Sequence, residues 1–261
     1  MKIRVALEKA AQHLNEAKTR HPNVTLVTPG AAAYMPVHRS VHIPMDTRQA
    51  RDQRVVVGVD GAPEHKAYQF LRGKMALRIQ QQGFNTVLIT SPHPGDGKTL
   101  TTVNLALTCA GAYDQTVLVV DCDLRRPTVC RTLGVETRVG LGDYLLDHVP
   151  LHEVITWPGI EKMTLISGGA PVDRSAEVLG SKRMHALVKE LKARYDNRLV
   201  LFDTPALLAF ADTLALLPLV DSIILVVAEG STRVQDLRKA IESVPEEKLL
   251  GVVLNRQKQG V

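Results

Sequence analysis

The chain has 261 residues, 45% of them apolar and 23% charged, with a formal net charge of +5. This suits a globular protein with a sizeable core, either one large domain or a domain with a tail. The mild charge permits contact with phosphates, anionic membranes or nucleic acid without choosing among them. Three cysteines, Cys109, Cys122 and Cys130, are odd in number and lack metal-ligand spacing, which argues against a cysteine-built metal site and suits a reduced cytoplasmic protein.

No apolar leader opens the sequence, because Met1-Lys2-Ile3-Arg4-Val5 runs into a charged stretch. Ile3, Ala6, Leu7, Ala10, Ala11 and Leu14 recur at helical spacing, so an amphipathic helix is predicted to Lys18, either a docking arm or a solvated helix. From Thr19 to Arg51 periodicity lapses, and Pro22, Pro29, Pro36 and Pro44 mark a linker. His38 and His42 have no cysteine or carboxylate company there and are not read as metal ligands. Residues 1–53 therefore form an arm and flexible linker, and 54–261 the folded domain.

Arg54 to Val59 predicts an edge strand, followed by a turn at Asp60-Gly61-Ala62-Pro63. Glu64 to Gln82 predicts a helix with Ala67, Phe70, Leu71, Met75, Leu77 and Ile79 as its apolar positions, ended by Gly83. Thr86 to Thr90 is a strand, and Leu100 to Gly111 a helix. Val117 to Val120 is a continuous apolar run, as in a parallel strand covered on both faces. Helix starts are read at Gly140 and Leu151, a strand at Met163 to Ser167, and one charged amphipathic helix from Ser175 to Tyr195. Arg198 to Phe202 is a strand, Leu214 to Leu217 a short helix, and Ser222 to Ala228 a strand. A helix from Ser231 to Val244 is capped by Ser231 or Thr232, and Leu250 to Leu254 is the last strand. The longest apolar run, Leu214 to Ala228, is interrupted by Pro218 and Asp221 and is too short to span a bilayer. Strands alternating with helices predict an α/β fold: a doubly wound, mainly parallel sheet with helices on both faces.

Between the strand at 86–90 and its helix lies Ser91-Pro92-His93-Pro94-Gly95-Asp96-Gly97-Lys98-Thr99. Strand, glycine-containing turn with Gly-Lys-Thr, then helix is the context of a phosphate-binding loop, with Pro92 in place of the usual first glycine. The loop from Pro94 to Leu100 would hold a triphosphate, through backbone N–H groups of its non-proline residues and the helix dipole. Lys98 would reach the β- and γ-phosphates, and the Thr99 hydroxyl would coordinate Mg²⁺. Asp121 and Asp123 follow one strand and Asp203 another. Asp203 suits the Mg²⁺ shell, and Asp121 or Asp123 could orient Mg²⁺ or accept a hydroxyl proton.

These motifs resemble those of the bacterial tyrosine kinases (BY-kinases) of capsule and exopolysaccharide export, relatives of the deviant Walker ATPases of cell division and plasmid partition. The likeness covers about residues 54 to 256. Pro94-Gly95-Asp96-Gly97-Lys98-Thr99 resembles the family's phosphate loop. Leu118-Val119-Val120-Asp121-Cys122-Asp123-Leu124-Arg125 resembles its second Walker-type motif. Asp203-Thr204-Pro205 resembles its Walker B, with Ala206 for the second proline. Asn255-Arg256 resembles the adenine-contacting corner. His93 replaces the second lysine of partition ATPases, which favours the kinase branch. Leu7-Glu8-Lys9-Ala10 resembles the start of stand-alone kinases that pair with a separate membrane protein.

The resemblance implies an ATP- and Mg²⁺-dependent enzyme, a P-loop ATPase and protein-tyrosine kinase, regulating exopolysaccharide synthesis or export. Lys98, Asp121, Asp123, Asp203 and Arg125 would be its catalytic set, and Thr99, Asp123 and Asp203 its metal set. Asp121 is the expected residue for orienting or deprotonating the acceptor; Arg125 either stabilises phosphate charge or pairs with an acid. Expected partners are ATP and ADP, a membrane polysaccharide co-polymerase holding the protein at the inner face of the membrane, and further copies of the chain. The alternative is a non-kinase ATPase switch or a partition-type organiser on DNA or membrane. Nucleic acid is disfavoured, because basic residues form only pairs such as Arg125-Arg126 and Lys182-Arg183. Two features depart from the family. The helix before the loop keeps only Arg72 of the Glu-x-x-Arg-x-x-Arg assembly motif. Nor do the residues after Asn255 include a tyrosine. Of Tyr34, Tyr68, Tyr113, Tyr144 and Tyr195, Tyr34 is the most accessible acceptor, and the others read as half-buried packing.

Overall fold

The computed structural model describes residues 40–56, 63–112, 115–194 and 197–257. The amphipathic segment at 3–18, Tyr34, His38, Val57 to Val59 of the expected edge strand, Tyr113 and Tyr195 lie outside them.

Eight strands form one sheet: β1 (Val41–His42), β2 (Thr86–Thr90), β3 (Thr116–Asp121), β4 (Ile155–Trp157), β5 (Met163–Ile166), β6 (Arg198–Asp203), β7 (Ser222–Ala228) and β8 (Leu249–Asn255). Their order is β1-β4-β5-β3-β6-β2-β7-β8. From β5 to β8 every neighbouring pair is parallel. β4 pairs antiparallel with β5, and β1 parallel with β4, so the last two strands run against the other six.

The central strands are apolar on both sides because both sides are covered. Val87, Ile89, Val117, Val119, Leu199 and Leu201 face one core, together with Val103, Ala106 and Cys109 of α3 (Lys98–Ala110). Leu88, Leu118, Val120, Val200 and Phe202 face the other, with Met184, Leu187, Val188 and Leu191 of α8 (Lys182–Ala193). The remaining helices are α1 (Thr47–Asp52), α2 (Pro63–Gln82), α4 (Val129–Leu133), α5 (Leu141–Leu146), α6 (Leu151–Val154), α7 (Ser175–Leu179), α9 (Asp212–Leu216) and α10 (Val234–Glu242). This is the doubly wound fold of P-loop NTPases.

Several local expectations change. Residues 40–52, read as linker, are folded onto the domain. β1 pairs with β4, the His42 ring lies 4.5 Å from that of Trp157, and Asp46 caps α1 by accepting from the Arg48 and Gln49 amides. Arg54 to Val56 are not a strand; the Val56 amide is instead satisfied by Asn104 Oδ1 at 2.7 Å. α2 forms as expected and ends at Gly83 with φ 67°, but it packs through Tyr68, Leu71, Met75 and Ile79. Phe70 and Leu77 are exposed. The single helix from 175 to 195 is two helices, α7 and α8, with Ser181 capping the second through the Met184 amide. α10 begins later than expected, and Arg233 rather than Ser231 or Thr232 is its cap residue.

Candidate functional site

Asp121 and Asp203 end the adjacent strands β3 and β6 and are register partners. The loop after β2 arrives beside them, because Ile89 is in register with Asp203. Three chain segments far apart in sequence therefore meet at the carboxyl edge of the sheet, where ligands gather in open α/β folds.

The loop closes on left-handed glycines. Gly95 and Gly97 have φ of 88° and 99°, and Gly97 caps α3. Gly97 has a second reason to be glycine: a Cβ there would lie 1.9 Å from Asn255 Nδ2. Asn255 Nδ2 donates to Asp96 O at 2.9 Å, and Arg256 Nη2 to Gly95 O at 2.6 Å. Both expected adenine-corner residues are thus at the site, bonded to the loop backbone. Asp96, almost fully buried, accepts from the His93 amide at 3.0 Å and from the Thr232 hydroxyl at 2.9 Å. His93 Nε2 lies 3.0 Å from Asp236 Oδ2 on α10. Pro94 is exposed at the loop tip, while Leu100 turns toward the core.

The acids surround the loop's end. Thr99 Oγ1 donates to Asp203 Oδ2 at 2.7 Å, and Thr102 Oγ1 to Asp203 Oδ1 at 3.1 Å. Lys98 Nζ donates to Asp123 Oδ2 at 3.1 Å. Asp121 accepts from the Asp123 amide at 3.1 Å and from the Thr128 and Val129 amides at 2.9 Å each. Three acceptances use most of a carboxylate's roughly four lone-pair sites and leave about one. Arg125 Nε donates to the fully buried Asp212 at 3.1 Å, and its guanidinium lies 5.1 Å from the Phe210 ring centre. Of the two readings left open for Arg125, the pairing with an acid is present. Asp212 also accepts from Ser175 Oγ.

Electrostatics follow from this crowding. Burial raises the proton affinity of both Asp121 and Asp203; for Asp121 the neighbouring Asp203 charge adds to it, while the Val129 amide works against it. At Asp203, Lys98 and Thr99 oppose the rise. Burial works against the charge of Lys98, but Asp203 and Asp123 outweigh it and hold the ammonium above its usual value. A site whose three acids outnumber its one lysine, two of them with raised proton affinity, is one where a bound cation relieves the carboxylates' repulsion.

The donors fit Mg²⁺ in particular. No group of three or more His, Cys, Asp or Glu side chains able to hold a metal occurs among the described residues. Mg²⁺ usually takes one or two carboxylates, with waters and substrate phosphates completing its shell. The Thr99 hydroxyl beside Asp203 supplies such a partial shell, and the glycine-lined turn ahead of α3 supplies amides for phosphate.

Thr102 and Thr128 were not singled out by motif. Thr102 stands three residues after Thr99, on the same helix face, and that spacing was a usable signal. Thr128, whose hydroxyl lies 3.3 Å from that of Thr99, and Asp212 carry no such signal.

Residues 85–249 match the family described as AAA domain. Tyrosine-protein kinase YwqD of Bacillus subtilis (strain 168) is 33% identical over 221 residues, covering 82% of this chain and 92% of that protein. A putative tyrosine-protein kinase EpsB of Ralstonia solanacearum is 29% identical over 213 residues, or 81% of this chain but only 28% of that protein. Among solved structures, the kinase domain of the Escherichia coli tyrosine kinase ETK superposes with a TM-score of 0.70 at 26% identity. That match covers 84% of this chain and 92% of the other. The chain thus spans nearly all of YwqD and little more than a quarter of EpsB.

Proposed function

This chain belongs to the bacterial tyrosine kinase (BY-kinase) family of exopolysaccharide biosynthesis, and from that premise we propose that it transfers the γ-phosphoryl group of ATP to tyrosine. The observation that carries the reading is the meeting of Lys98, Thr99, Asp123 and Asp203 within hydrogen-bonding distance at the carboxyl edge of the sheet.

The loop from Pro94 to Leu100 holds the phosphates through its backbone amides from Gly95 onward, with Asn255 and Arg256 fixing the loop that presents them. Lys98 leaves Asp123 to meet the phosphates and neutralise the charge of the transferring group, and Asp123 is then free to support the metal. Thr99 and Asp203 hold Mg²⁺, which when bound offsets negative charge on the phosphoryl oxygens. Asp121 orients the acceptor hydroxyl and takes its proton, a role suited to a buried carboxyl with raised proton affinity and one lone-pair site remaining. Arg125, tied to Asp212, positions the turn that carries Asp121 and Asp123. No described helix is long and apolar enough to cross a membrane. Attachment to the inner face of the membrane is assigned to a polysaccharide co-polymerase partner, the arrangement that the family resemblance implies.

The test is a phosphotransfer assay with Mg²⁺ and γ-labelled ATP, run beside Asp121→Asn. Phosphotyrosine on the protein or on a tyrosine peptide, reduced about 10²–10⁴-fold in the variant, is expected for a lost general base. ATP hydrolysis with no tyrosine label, even with the membrane partner present, would reduce the protein to an ATPase switch.

A further inference from the structure

Scattered apolar side chains in water are ordinary, but a large one kept exposed beside a reaction site points to a contact with something else. Among the described residues two aromatic side chains are exposed in this way, Phe70 on α2 and Phe210, which is 37% exposed. Phe210 belongs to neither core. It lies in the loop between β6 and α9, which leaves the carboxyl edge directly after Asp203.

That loop is held at both ends. The Leu207 amide donates to Ser91 O at 2.8 Å and the Leu208 amide to Pro92 O at 3.3 Å, which ties its first half to the entry of the phosphate loop. The Phe210 amide donates to Ala206 O at 3.1 Å. Two residues on, Asp212 is fully buried and bonded to Ser175 and Arg125. The Phe210 ring centre is 5.1 Å from the Arg125 guanidinium, and Arg125 is carried by the same turn as Asp121 and Asp123. An exposed ring therefore stands between the phosphate loop and the acidic turn, on anchored backbone, with a cation beside it.

We infer that Phe210 determines acceptor specificity: its exposed ring surface receives the aromatic ring of the substrate tyrosine, beside Arg125. The inference rests on the phosphoryl-transfer reading above and adds to it the residue that selects a phenol. Water, serine and threonine also offer a hydroxyl, but they have no ring to lay against Phe210. A tyrosine ring packs on it offset or edge to face, and a guanidinium favours an aromatic face nearby. The contact is made through the ring alone and leaves the phenolic hydroxyl to Asp121.

The experiment measures steady-state transfer from γ-labelled ATP with Mg²⁺ to a tyrosine-containing peptide, using the full-length chain. Wild type is compared with Phe210→Leu, which keeps apolar bulk but loses the ring, with Phe210→Trp, which keeps a ring, and with Phe70→Leu as the control at the other exposed ring. Phe210→Leu should raise the KM for the peptide about 2–10-fold, the scale of one aromatic pair, with kcat and the KM for ATP within about twofold of wild type. Phe210→Trp should restore the peptide KM, and Phe70→Leu should leave it unchanged. An unchanged peptide KM in Phe210→Leu would overturn the inference. So would a fall in kcat at constant KM, which would make Phe210 a prop for Arg125 instead. Peptide labelling by wild type with either of those results removes the inference alone, whereas no labelling by wild type removes the phosphoryl-transfer reading with it.

Discussion

At the amino edge of the sheet, Asp221 accepts from the Asn85 and Thr86 amides, from the Thr86 hydroxyl at 2.7 Å and from Lys192. Burial pushes its proton affinity up, but these donors outweigh burial and hold the carboxyl below its usual range. At the carboxyl edge, three acids share Lys98, and burial leaves Asp121 and Asp203 above theirs. The same residue type is a fastener at one edge and a stored charge at the other. The difference lies in burial and in neighbouring charge: Asp221 is half-buried with a cation of its own, while Asp121 and Asp203 are fully buried and face one another across adjacent strands.

The largest effect should come from Asp203→Asn, which removes charge where the site needs it. Phosphotransfer should fall about 10²–10³-fold, as when one preorganised transition-state group is lost. Thermal unfolding of the nucleotide-free protein should meanwhile move to higher temperature, because a crowded buried charge is gone. A lower melting temperature would show that Asp203 is a fastener like Asp221. Asp221→Asn should behave oppositely. It should cost about 1–3 kcal/mol in urea unfolding, the scale for hydrogen bonds to a charged group, and leave the transfer rate per folded molecule unchanged.

Acid titration sharpens the contrast. A carboxyl held low, as Asp221 is, stabilises the fold above the unfolded value near about 4 and loses that contribution as pH falls through its lower folded value. Asp121 and Asp203, held high, contribute nothing adverse below about pH 4, and their cost grows as pH rises through their elevated folded values. Urea midpoints followed across pH should therefore lose their acid-side drop in Asp221→Asn and their neutral-side decline in Asp121→Asn. Curves parallel to wild type in both variants would refute the assignment. The smallest effect belongs to Asn255→Ala, which frees Asp96 O and should cost about 1 kcal/mol while weakening ATP binding, measurable by titration calorimetry.

The fold was legible in sequence where its physics is local. Val117 to Val120, Arg198 to Phe202 and Ser222 to Ala228 are continuous apolar runs, and a strand covered on both faces needs little else. β1 and β4 were not legible, since two or three residues hold no periodicity and each exists only because the other edge is there to pair. The phosphate loop was legible because Gly97-Lys98-Thr99 are consecutive and a strand precedes them. What the loop leans on was less so. Asn255 was visible through its position after the last strand, but Thr232, Asp236 and Asp212 are bonded across 136, 143 and 87 residues respectively. The turn motif around Asp121 announced three charged residues without telling that Asp121 would be held by the Thr128 and Val129 amides, or Arg125 by a buried acid.

The clamp on the phosphate loop also has a temporal side. Asp96 waits for Asn255, 159 residues later, and Gly95 for Arg256, 161 residues later. β2 itself pairs only with β6 and β7, both from the second half of the chain. Chains emerge from the ribosome amino end first, so the loop is made early and braced last. A nascent chain would lack the brace on this loop until almost all of the domain has been synthesised.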